Sequence, residues 1–373
     1  MVRFVHSADW QLGMTRHFLA GDAQGRYSEA RLDAVRAIGR LAAEERCAFV
    51  VVAGDVFETN QVARSVVLPA LEAMAGCPVP VLLLPGNHDA LHAGSVYRTK
   101  AFVDNKPANV TVLEPGTAAE IAGVRIVPAT WETRKPDVNP AEAACRSLKR
   151  SQGLQVLVAH GIVDAVSPQS GEASVLRLSM LEEALREGLL DYVALGDQHS
   201  CAAVGASGRI WYSGTPLVTS YREPRPNLAL VVALDGTDAK VSEHVVGDWQ
   251  FVDRRFDVDT DSDVDAVDAW LAGLADRRKC VVRLSFVGTV SLAVKAHLDE
   301  VLDRHDDVLA ALELHDREMD LAVLPDDADL AALGLSGFAA AALDELVARA
   351  AGGADVAAAD ALGLLYRLAR AGR

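Results

Sequence analysis

Five short polar motifs, each at the end of an apolar run of strand length, constrain this chain more than any other feature of its sequence. The runs are Val2 to Val5, Phe49 to Ala53, Val79 to Leu84, Val156 to Ala159 and Tyr192 to Leu195. The motifs are Ser7 to Gln11, Gly54-Asp55, Gly86 to Asp89, His160-Gly161 and Gly196 to His199. Because the ligand sites of α/β folds lie at the carboxyl ends of strands, we expect these motifs to meet in one site.

The residue types in the motifs indicate a site for divalent cations. Carboxylate, imidazole and amide groups suit manganese, iron, zinc or magnesium, and none of the five motifs contains a cysteine. Asp55 is placed to bridge two ions. Together the motifs predict a two-metal hydrolase site.

The composition favours a cytoplasmic globular protein with more than one domain. At 373 residues, half of them hydrophobic, the chain has room for one large domain and one or two small ones. Its five cysteines are scattered without Cys-x-x-Cys spacing, which supports neither a disulfide framework nor a zinc knuckle. We expect no signal peptide and no membrane partner, because no basic segment and apolar stretch precede the first strand and no apolar run reaches membrane length.

The charge of the chain argues against strong unaided binding to nucleic acid. The net charge is −16, of which residues 251–373, with 24 acidic and 13 basic residues, supply −11. Residues 1–250 hold 28 acidic and 23 basic residues, a balance of −5. A phosphate backbone normally binds to a basic surface. A nucleic-acid substrate would therefore need help from metal ions or from a partner protein.

The order of elements predicts three regions. Residues 1–247 alternate strand-like runs with amphipathic stretches, followed by closely spaced runs typical of antiparallel strands, so we expect mixed sheets. Residues 248–325 have the pattern strand, helix, strand, helix, strand, which indicates a small α/β unit. Residues 326–373 contain two Ala/Leu-rich stretches, Phe338 to Ala350 and Asp355 to Ala371, that are helical by their period.

The ordered motifs resemble those of the calcineurin-like metallophosphoesterases, whose pattern is Asp-x-His, Gly-Asp, Gly-Asn-His-Asp, a lone His, then Gly-His-x-His. Within that superfamily the chain is most similar to the SbcD-type DNA repair exonucleases. The narrower resemblance rests on Asp9 to Gly13, Gly54 to Glu58, Pro85 to Asp89, Tyr192 to Gly196 and Tyr212 to Pro216, and covers residues 1–247. It implies a layered α-β-β-α sandwich with mixed sheets as the catalytic domain, a small α/β capping domain, and C-terminal helices that could bind a partner.

The resemblance also implies a set of metal ligands. Carried over by matching positions, Asp9, Asp55 and His199 would hold one ion, and Asp55, Asn87 and His160 the other. Two positions depart from the pattern, because Gln11 and Asp197 stand where histidines are usual. A carboxylate is a good ligand for manganese or iron, so Asp197 remains a candidate ligand. Gln11 either binds metal through its amide oxygen or bonds a metal-bound water, and we expect the first ion to be held loosely.

His88 and Asp89 are the candidate catalytic residues that are not ligands. We interpret His88 as a donor of a proton or hydrogen bond to the phosphate or leaving oxygen, and Asp89 as the residue that orients it. The proposed chemistry is in-line attack on phosphorus by a hydroxide that two ions activate. Two divalent ions are implied, with manganese favoured and iron, zinc or magnesium as alternatives.

Other motif interpretations have less support. No Gly-x-Ser-x-Gly sequence follows a strand, which argues against a serine hydrolase. The acidic run Asp257 to Asp263 lacks the glycine that a calcium loop needs at its sixth position, and we expect a strand end that leads into an acidic helix start. Trp131 either packs under the site or stacks on a base.

Three functions remain open at this point. The first is a metal-dependent phosphodiesterase that acts on DNA, as an exonuclease or endonuclease subunit beside an SbcC-like SMC-type ATPase. The resemblance implies that C-terminal helices grip the coiled-coil base of that ATPase, and that a homodimer forms. The second is a phosphodiesterase or phosphatase for small phosphate esters. The third is a DNA-end or partner-binding subunit in which Gln11 and Asp197 have weakened catalysis.

Overall fold

The chain divides into two compact units. The computed structural model describes residues 1–166, 175–236, 238–323 and 337–350, and beyond these residues 355, 357, 358, 361, 362, 364 and 365. The first unit contains Met1–Arg16 and Gln24–Trp249, and the second contains His17–Ala23 and Gln250–Arg373. All the predicted site residues belong to the first unit. The sequence pattern gives no sign that residues 17–23 group with the second.

Two six-stranded sheets form the centre of the first unit. Their strands are β1 (Val2–Ser7), β2 (Val50–Ala53), β3 (Val81–Leu84), β4 (Val110–Val112), β5 (Ala119–Ile121), β6 (Val124–Pro128), β7 (Leu154–His160), β8 (Tyr192–Gly196), β9 (Ala202–Val204), β10 (Ile210–Tyr212), β11 (Leu228–Asp235) and β12 (Asp238–Val245). The first sheet has the order β12-β11-β1-β2-β3-β4, and the second has the order β5-β6-β7-β8-β10-β9. β1 to β4 are parallel, whereas β11 runs antiparallel to β1 with Val231 opposite Val5. The prediction of mixed sheets is confirmed.

Apolar side chains from both sheets meet in one buried layer. Phe4 of β1 stacks on Phe49 with ring centroids 5.0 Å apart, and its edge meets Tyr192 of β8 at 5.8 Å. All three rings are fully buried. Strands covered on both faces are rich in β-branched and aromatic residues, and β2 and β3 are apolar at every position.

Helices cover the outer faces of the two sheets. They are α1 (Ala23–Glu44), α2 (Arg64–Ala75), α3 (Lys100–Val103), α4 (Pro140–Arg146) and α5 (Leu178–Arg186). Ile38 of α1 and Met74 of α2 are buried in a cluster with β1 and β2, and Leu181 of α5 is buried in a second cluster with β7 and β8. The predicted α-β-β-α layering is confirmed. α4 ends at Arg146, and residues 147–153 are in neither helix nor strand.

The second unit is a parallel four-stranded sheet with helices. Its elements are β13 (Gln250–Asp257), α6 (Asp261–Ala272), β14 (Cys280–Val290), α7 (Leu292–Asp306), β15 (Ala311–Leu314) and β16 (Asp320–Val323). β14 pairs with β13, β15 and β16, of which β16 was not expected. The acidic run is a helix start, since Thr260 and Asp263 form a reciprocal capping box on α6.

The C-terminal region is described in part. α8 (Phe338–Ala350) buries Leu343 in a cluster with Leu292 of α7, Ala358 and Leu362. The second predicted C-terminal helix, residues 355–371, lies mostly outside the described residues. Among the described helices, none is long and apolar enough to cross a membrane.

Candidate metal centre

Loops at the carboxyl ends of five strands carry the predicted site residues. Asp9 and Gln11 follow β1, Asp55 follows β2, Asn87, His88 and Asp89 follow β3, His160 ends β7, and Asp197 and His199 follow β8. The pairing of β1 with β2 continues into these loops, because Asp9 N donates to Gly54 O at 3.0 Å and Gln11 N donates to Asp55 O at 2.9 Å. The two sheets thus bring together residues that are up to 190 positions apart in the chain.

Four of these residues have a backbone conformation that L-amino acids rarely adopt. Eight non-glycine residues in the described part of the chain have positive φ, and four of the eight are Asp9 (53°), Gln11 (44°), Asp55 (51°) and Asp197 (92°). Such conformations cost about 1–3 kcal/mol each and concentrate at functional sites. The clustering of strained residues therefore supports the location of the site.

The glycines of the motifs allow the loops to approach one another closely. A Cβ atom on Gly86 would lie 2.2 Å from Asp55 Oδ1, and one on Gly54 would lie 2.1 Å from His160 Nδ1. Real Cβ atoms essentially never come within 3.0 Å of a heavy atom outside their own residue and its chain neighbours. Glycine at both positions is therefore required for the carboxylate and the imidazole to reach the centre.

Asp9, Asp55 and His160 form the buried heart of the site. Each offers a ligand atom, and these atoms all lie within 4.8 Å of one another. His160 Nδ1 lies 3.9 Å from Asp9 Oδ1, and His160 Nε2 lies 3.4 Å from Asp55 Oδ2. All three residues are at most 2% exposed. Two carboxylates and an imidazole buried together suit a cation.

Asn87 lies beside the Nε2 atom of His160. His160 Nδ1 donates to Ala53 O at 2.9 Å, which directs Nε2 toward Asn87 Oδ1, also at 2.9 Å. If Nε2 carries a proton, the amide oxygen can accept a hydrogen bond from it. If Nε2 is unprotonated, the amide oxygen and the lone pair of Nε2 can face a cation together. With the amide reversed, its nitrogen would instead donate to His160 Nε2 at 2.9 Å and to both carboxylate oxygens of Asp55 at 3.3 Å. Only the first orientation presents the oxygen that a metal ion needs.

Gln11 and His199 form a second pair of the same kind. Gln11 Nε2 lies 3.1 Å from His199 Nε2, and Gln11 Oε1 is buried with no hydrogen-bond partner among the described residues. His199 Nδ1 is held by Thr219 Oγ1 at 2.7 Å and by Glu223 Oε1 at 2.9 Å. The carboxylate can only accept, so Nδ1 carries a proton and Nε2 faces the centre.

Asp197 lies next to the buried carboxylates. Its backbone N–H donates to both oxygens of Asp9, at 3.1 and 3.0 Å, and its Oδ1 lies 3.6 Å from His160 Nε2. Its side chain is 27% exposed, in contrast to the buried Asp9 and Asp55. Asp197 is thus placed on the same side of His160 as Asn87 and Asp55, where a ligand of one ion belongs.

His88 and Asp89 do not form the pair that the sequence suggested. The ring of His88 is held by the Glu58 carbonyl, which accepts from Nδ1 at 2.8 Å. Asp89 is fully buried and accepts from Gly86 N at 2.7 Å, Phe57 N at 3.1 Å and Tyr97 Oη at 2.6 Å. Its carboxylate therefore organises the loops after β2 and β3, and the orientation of His88 comes from a backbone carbonyl.

Burial and mutual charge shift the pKa values of the site residues. Burial raises the pKa of Asp9 to about 7, against the opposing charges of His160 and His199. Burial would also raise the pKa of Asp55, but the charge and hydrogen bond of His160 outweigh it and the net shift is downward. Burial lowers the pKa of His160, but the charge and hydrogen bond of Asp55 raise it. The net result is a pKa well above the usual value of a histidine. The opposite shifts of Asp55 and His160 follow from their contact at 3.4 Å.

The pKa of His199 is also raised. Burial lowers it, whereas the Glu223 hydrogen bond and the charges of Asp9 and Asp55 raise it, and the net shift is upward. Glu223 has a lowered pKa, because the His199 hydrogen bond and charge outweigh its burial.

The residues that position the candidate ligands belong to none of the sequence motifs. Glu223 and Thr219 lie in an irregular segment that matches no motif, so nothing in the sequence distinguishes Glu223 from a surface acid. Arg31 of α1 is 2% exposed and donates to Trp10 O at 2.9 Å and to Tyr27 Oη at 2.6 Å. The one available signal for Arg31 is its i, i+4 spacing from Tyr27 on the buried face of the helix.

Trp131 packs under the site. It is 2% exposed, and its Nε1 donates to His160 O at 2.9 Å. Its ring is perpendicular to that of His160, with centroids 6.3 Å apart. The indole therefore supports the end of β7, and it offers no face for a base to stack on.

The donors fit divalent cations. They are carboxylate oxygens, amide oxygens and imidazole nitrogens, which are ligands for manganese, iron, zinc or magnesium. A buried amide oxygen without a partner among the described residues, Gln11 Oε1, is an acceptor that a cation would satisfy. The residues that would hold metal are Asp9, Gln11, Asp55, Asn87, His160, Asp197 and His199.

A comparison with protein families matches the first half of the chain. Residues 2–201 match the model of the calcineurin-like phosphoesterases, and these residues include every member of the centre just described. A search of curated proteins finds no match.

The solved structures to which this chain is similar are distant from it. They include TT1561 of Thermus thermophilus, with 8% identity and a TM-score of 0.40 over 66% of this chain and 99% of that one. The purple acid phosphatase PPD1 of yellow lupin seeds has 13% identity and a TM-score of 0.40 over 66% of this chain and 51% of that one. A dimetal phosphatase from Danio rerio has 13% identity and a TM-score of 0.37 over 66% of this chain and 99% of that one.

Proposed function

The chain belongs to the calcineurin-like phosphoesterase family, and we propose that its reaction is metal-dependent hydrolysis of phosphodiesters in DNA, as a nuclease subunit in DNA repair. The observation that carries the hydrolytic part is the buried centre in which Asp9, Asp55 and His160 lie within 4.8 Å of one another. The DNA part is supported by the resemblance of the runs around Asp9, Asp55 and Asn87 to SbcD-type exonucleases. Exonuclease and endonuclease action are both compatible with this proposal.

The ligands of the centre would bind and orient the ions and the substrate. Asp55 lies beside His160 at 3.4 Å, and its ligand atom lies within 4.8 Å of that of Asp9, so it is the carboxylate suited to bridge two ions. When bound, two divalent ions supply an activated water at neutral pH and neutralise charge on the phosphoryl oxygens. Manganese is our proposal for the ions, with iron, zinc or magnesium as alternatives.

His88 is the residue suited to donate a proton or hydrogen bond to the phosphate or the leaving oxygen. Its Nδ1 donates to the Glu58 carbonyl, so the tautomer is set and Nε2 remains without a partner among the described residues. His88 N also donates to Asp55 Oδ1 at 3.0 Å, which ties the position of the ring to the bridging carboxylate.

A partner protein is part of the proposal. The net charge of −16 disfavours unaided binding to a phosphate backbone. An SbcC-like SMC-type ATPase that binds the C-terminal region would supply a DNA-binding surface, and a homodimer would pair two such active sites. Copurification with a large ATPase from the native host is the direct test of this part.

The test of the reaction is cleavage of end-labelled linear DNA. Metal-stripped protein is reloaded with manganese and compared with Asp55→Ala, His88→Ala and the control His92→Ala, which changes an exposed histidine four residues further on. Cleavage by the wild type and the control, and its loss in the other two variants, supports the nuclease. Cleavage that persists in all the variants would point to a contaminating enzyme.

A second candidate is hydrolysis of small phosphate esters, which the acidic surface would not hinder. The same proteins are assayed with a phosphate monoester and with a diester that carries a chromogenic leaving group. Turnover of the monoester without DNA cleavage favours this second function. Bound metal without turnover of either substrate favours the third, in which the protein only binds DNA ends or a partner.

A further inference from the structure

The metal centre contains the same arrangement of side chains twice. In each copy a side-chain amide lies beside the Nε2 atom of an imidazole. Asn87 Oδ1 is 2.9 Å from His160 Nε2, and Gln11 Nε2 is 3.1 Å from His199 Nε2. We name these the Asn87–His160 half and the Gln11–His199 half.

In both halves the other ring nitrogen is already committed. His160 Nδ1 donates to the Ala53 carbonyl at 2.9 Å, and His199 Nδ1 donates to Glu223 Oε1 at 2.9 Å. An acceptor on Nδ1 fixes the tautomer and the angle of the ring, which is the arrangement found around metal-binding histidines. Each Nε2 therefore faces the centre, with an amide next to it.

The Gln11 amide is the one that leaves a buried atom without a partner. Its Nε2 group lies toward His199, while Oε1 is buried and has no hydrogen-bond partner in the described part of the chain. Gln11 itself is 3% exposed. The terminal torsion of a glutamine is broad, so a half-turn that exchanges the two ends costs little. After that turn Oε1 faces the same space as His199 Nε2.

Each half also has two carboxylates nearby. Around His160 Nε2 they are Asp55 Oδ2 at 3.4 Å and Asp197 Oδ1 at 3.6 Å. On the side of Gln11 and His199 they are Asp9 and Asp55, whose ligand atoms lie within 4.8 Å of each other, and Gln11 N donates to the Asp55 backbone carbonyl at 2.9 Å. Asp55 is common to the two halves.

We propose that Gln11 is a direct ligand through Oε1 and that the centre consists of two equivalent half-sites. Each half-site has two carboxylates, one amide oxygen and one imidazole. Such a set of donors favours hard cations such as Mn²⁺ or Mg²⁺. The inference deepens the proposed function, because it assumes that the centre binds metal, but it does not depend on which ester is hydrolysed. Of the two roles that the sequence leaves open for Gln11, it selects direct ligation over a hydrogen bond to a metal-bound water, and it makes Gln11 the counterpart of Asn87.

The preference follows from the donor atoms. Imidazole suits zinc and iron, whereas carboxylate and carbonyl oxygens suit manganese and magnesium. Three of the four donors in each half are oxygens. Zinc binds more tightly than manganese to most sites. An oxygen-rich half-site should therefore lower the ratio of the Zn²⁺ affinity to the Mn²⁺ affinity.

Calorimetric titration of the metal-stripped protein with Mn²⁺ and with Zn²⁺ tests the proposal without an activity assay. The wild type is compared with Gln11→His, Asp197→His, Gln11→Leu and the exposed control Gln152→His. Histidine tolerates positive φ better than most residues, which suits the backbone of Gln11. We expect two Mn²⁺ equivalents for the wild type and the control.

The variants have different expected results. Gln11→Leu removes a ligand and should weaken Mn²⁺ binding at one site. Loss of a group that only hydrogen-bonds to a ligand already lowers metal affinity by roughly tenfold, so we expect at least that loss. Gln11→His and Asp197→His should each raise the affinity for Zn²⁺ relative to Mn²⁺ at one site. Unchanged Mn²⁺ binding by a folded Gln11→Leu protein, or an unchanged metal ratio in both histidine variants, would overturn the proposal. If metal binds as expected and no ester is hydrolysed, the proposed function fails and this inference stands.

Discussion

The substitution His6→Gln should make the protein less sensitive to acid. His6 lies in β1 between the two sheets and is fully buried. Its Nε2 donates to Leu195 O at 3.1 Å, and its Nδ1 accepts from Tyr192 Oη at 3.1 Å. Burial, opposed in part by the hydrogen bond to Leu195, lowers the pKa of His6 from 6.5 to about 3. The folded protein therefore keeps this ring neutral in a range where the unfolded chain protonates it.

The size of the effect follows from this difference. The pKa is lower in the folded state, so the contribution to stability is complete above pH 6.5 and is lost as the pH falls toward 3. Each unit of pH between the two values costs about 1.4 kcal/mol. At pH 4.5, two units below 6.5, the wild type should have lost about 3 kcal/mol of its unfolding free energy through His6 alone. Glutamine does not titrate and can still donate to Leu195.

Urea unfolding at pH 7.5 and pH 4.5 measures this effect. His6→Gln loses about 1 kcal/mol or more at both values because the bond from Tyr192 is weakened, but this constant cost cancels when the two values are compared. The carboxylates of the metal centre titrate in both proteins and cancel as well. The exposed His92→Gln should behave as the wild type does. If His6→Gln lost as much stability between the two values as the wild type, the argument from burial would be wrong.

Three further predictions concern the metal centre. Gly86→Ala should abolish tight metal binding, since its Cβ would lie 2.2 Å from Asp55 Oδ1; calorimetric titration measures this, and unchanged affinity would contradict the close approach. Glu223→Gln should weaken metal binding by roughly 10–100-fold, because the anionic acceptor of His199 Nδ1 is lost; equal affinities would show that Glu223 only packs. His88→Ala should keep two metal ions and lose hydrolysis, and a loss of metal on elemental analysis would make His88 a ligand.

The location of the site could be predicted from sequence, whereas several roles within it could not. The motifs around Asp9 and Asp55 end apolar runs, and strand ends in parallel sheets lie on one edge, so their meeting is a consequence of local pattern. The role of Asp89 depends on Tyr97, whose hydroxyl approaches its carboxylate at 2.6 Å. No spacing rule connects the carboxylate of Asp89 to the ring of a residue eight positions later. The assignment of Asp89 to His88 was wrong for that reason.

The metal centre also shows where sequence reasoning leaves alternatives open. Gln11 could be a ligand or a neighbour of one, because the residue type allows both. The structure adds two facts, the contact of Gln11 Nε2 with His199 at 3.1 Å and the buried Oε1 without a partner among the described residues. The contact with His199 spans 188 positions in the chain. It was accessible only once both sheets were in place.

The amino-acid pattern alone specifies the strands of this protein, the ends at which its polar motifs lie, and the kind of chemistry that carboxylate, amide and imidazole groups allow. These are local properties, because hydrophobic period and residue type act over a few positions. The folded chain decides which side chains share a cation. Gly54 admits His160, and Gly86 admits Asp55, through contacts of 2.1 and 2.2 Å to where a Cβ would lie. These close approaches are between segments that are distant in the sequence, so they depend on how the two sheets pack. That packing is a property of the whole chain.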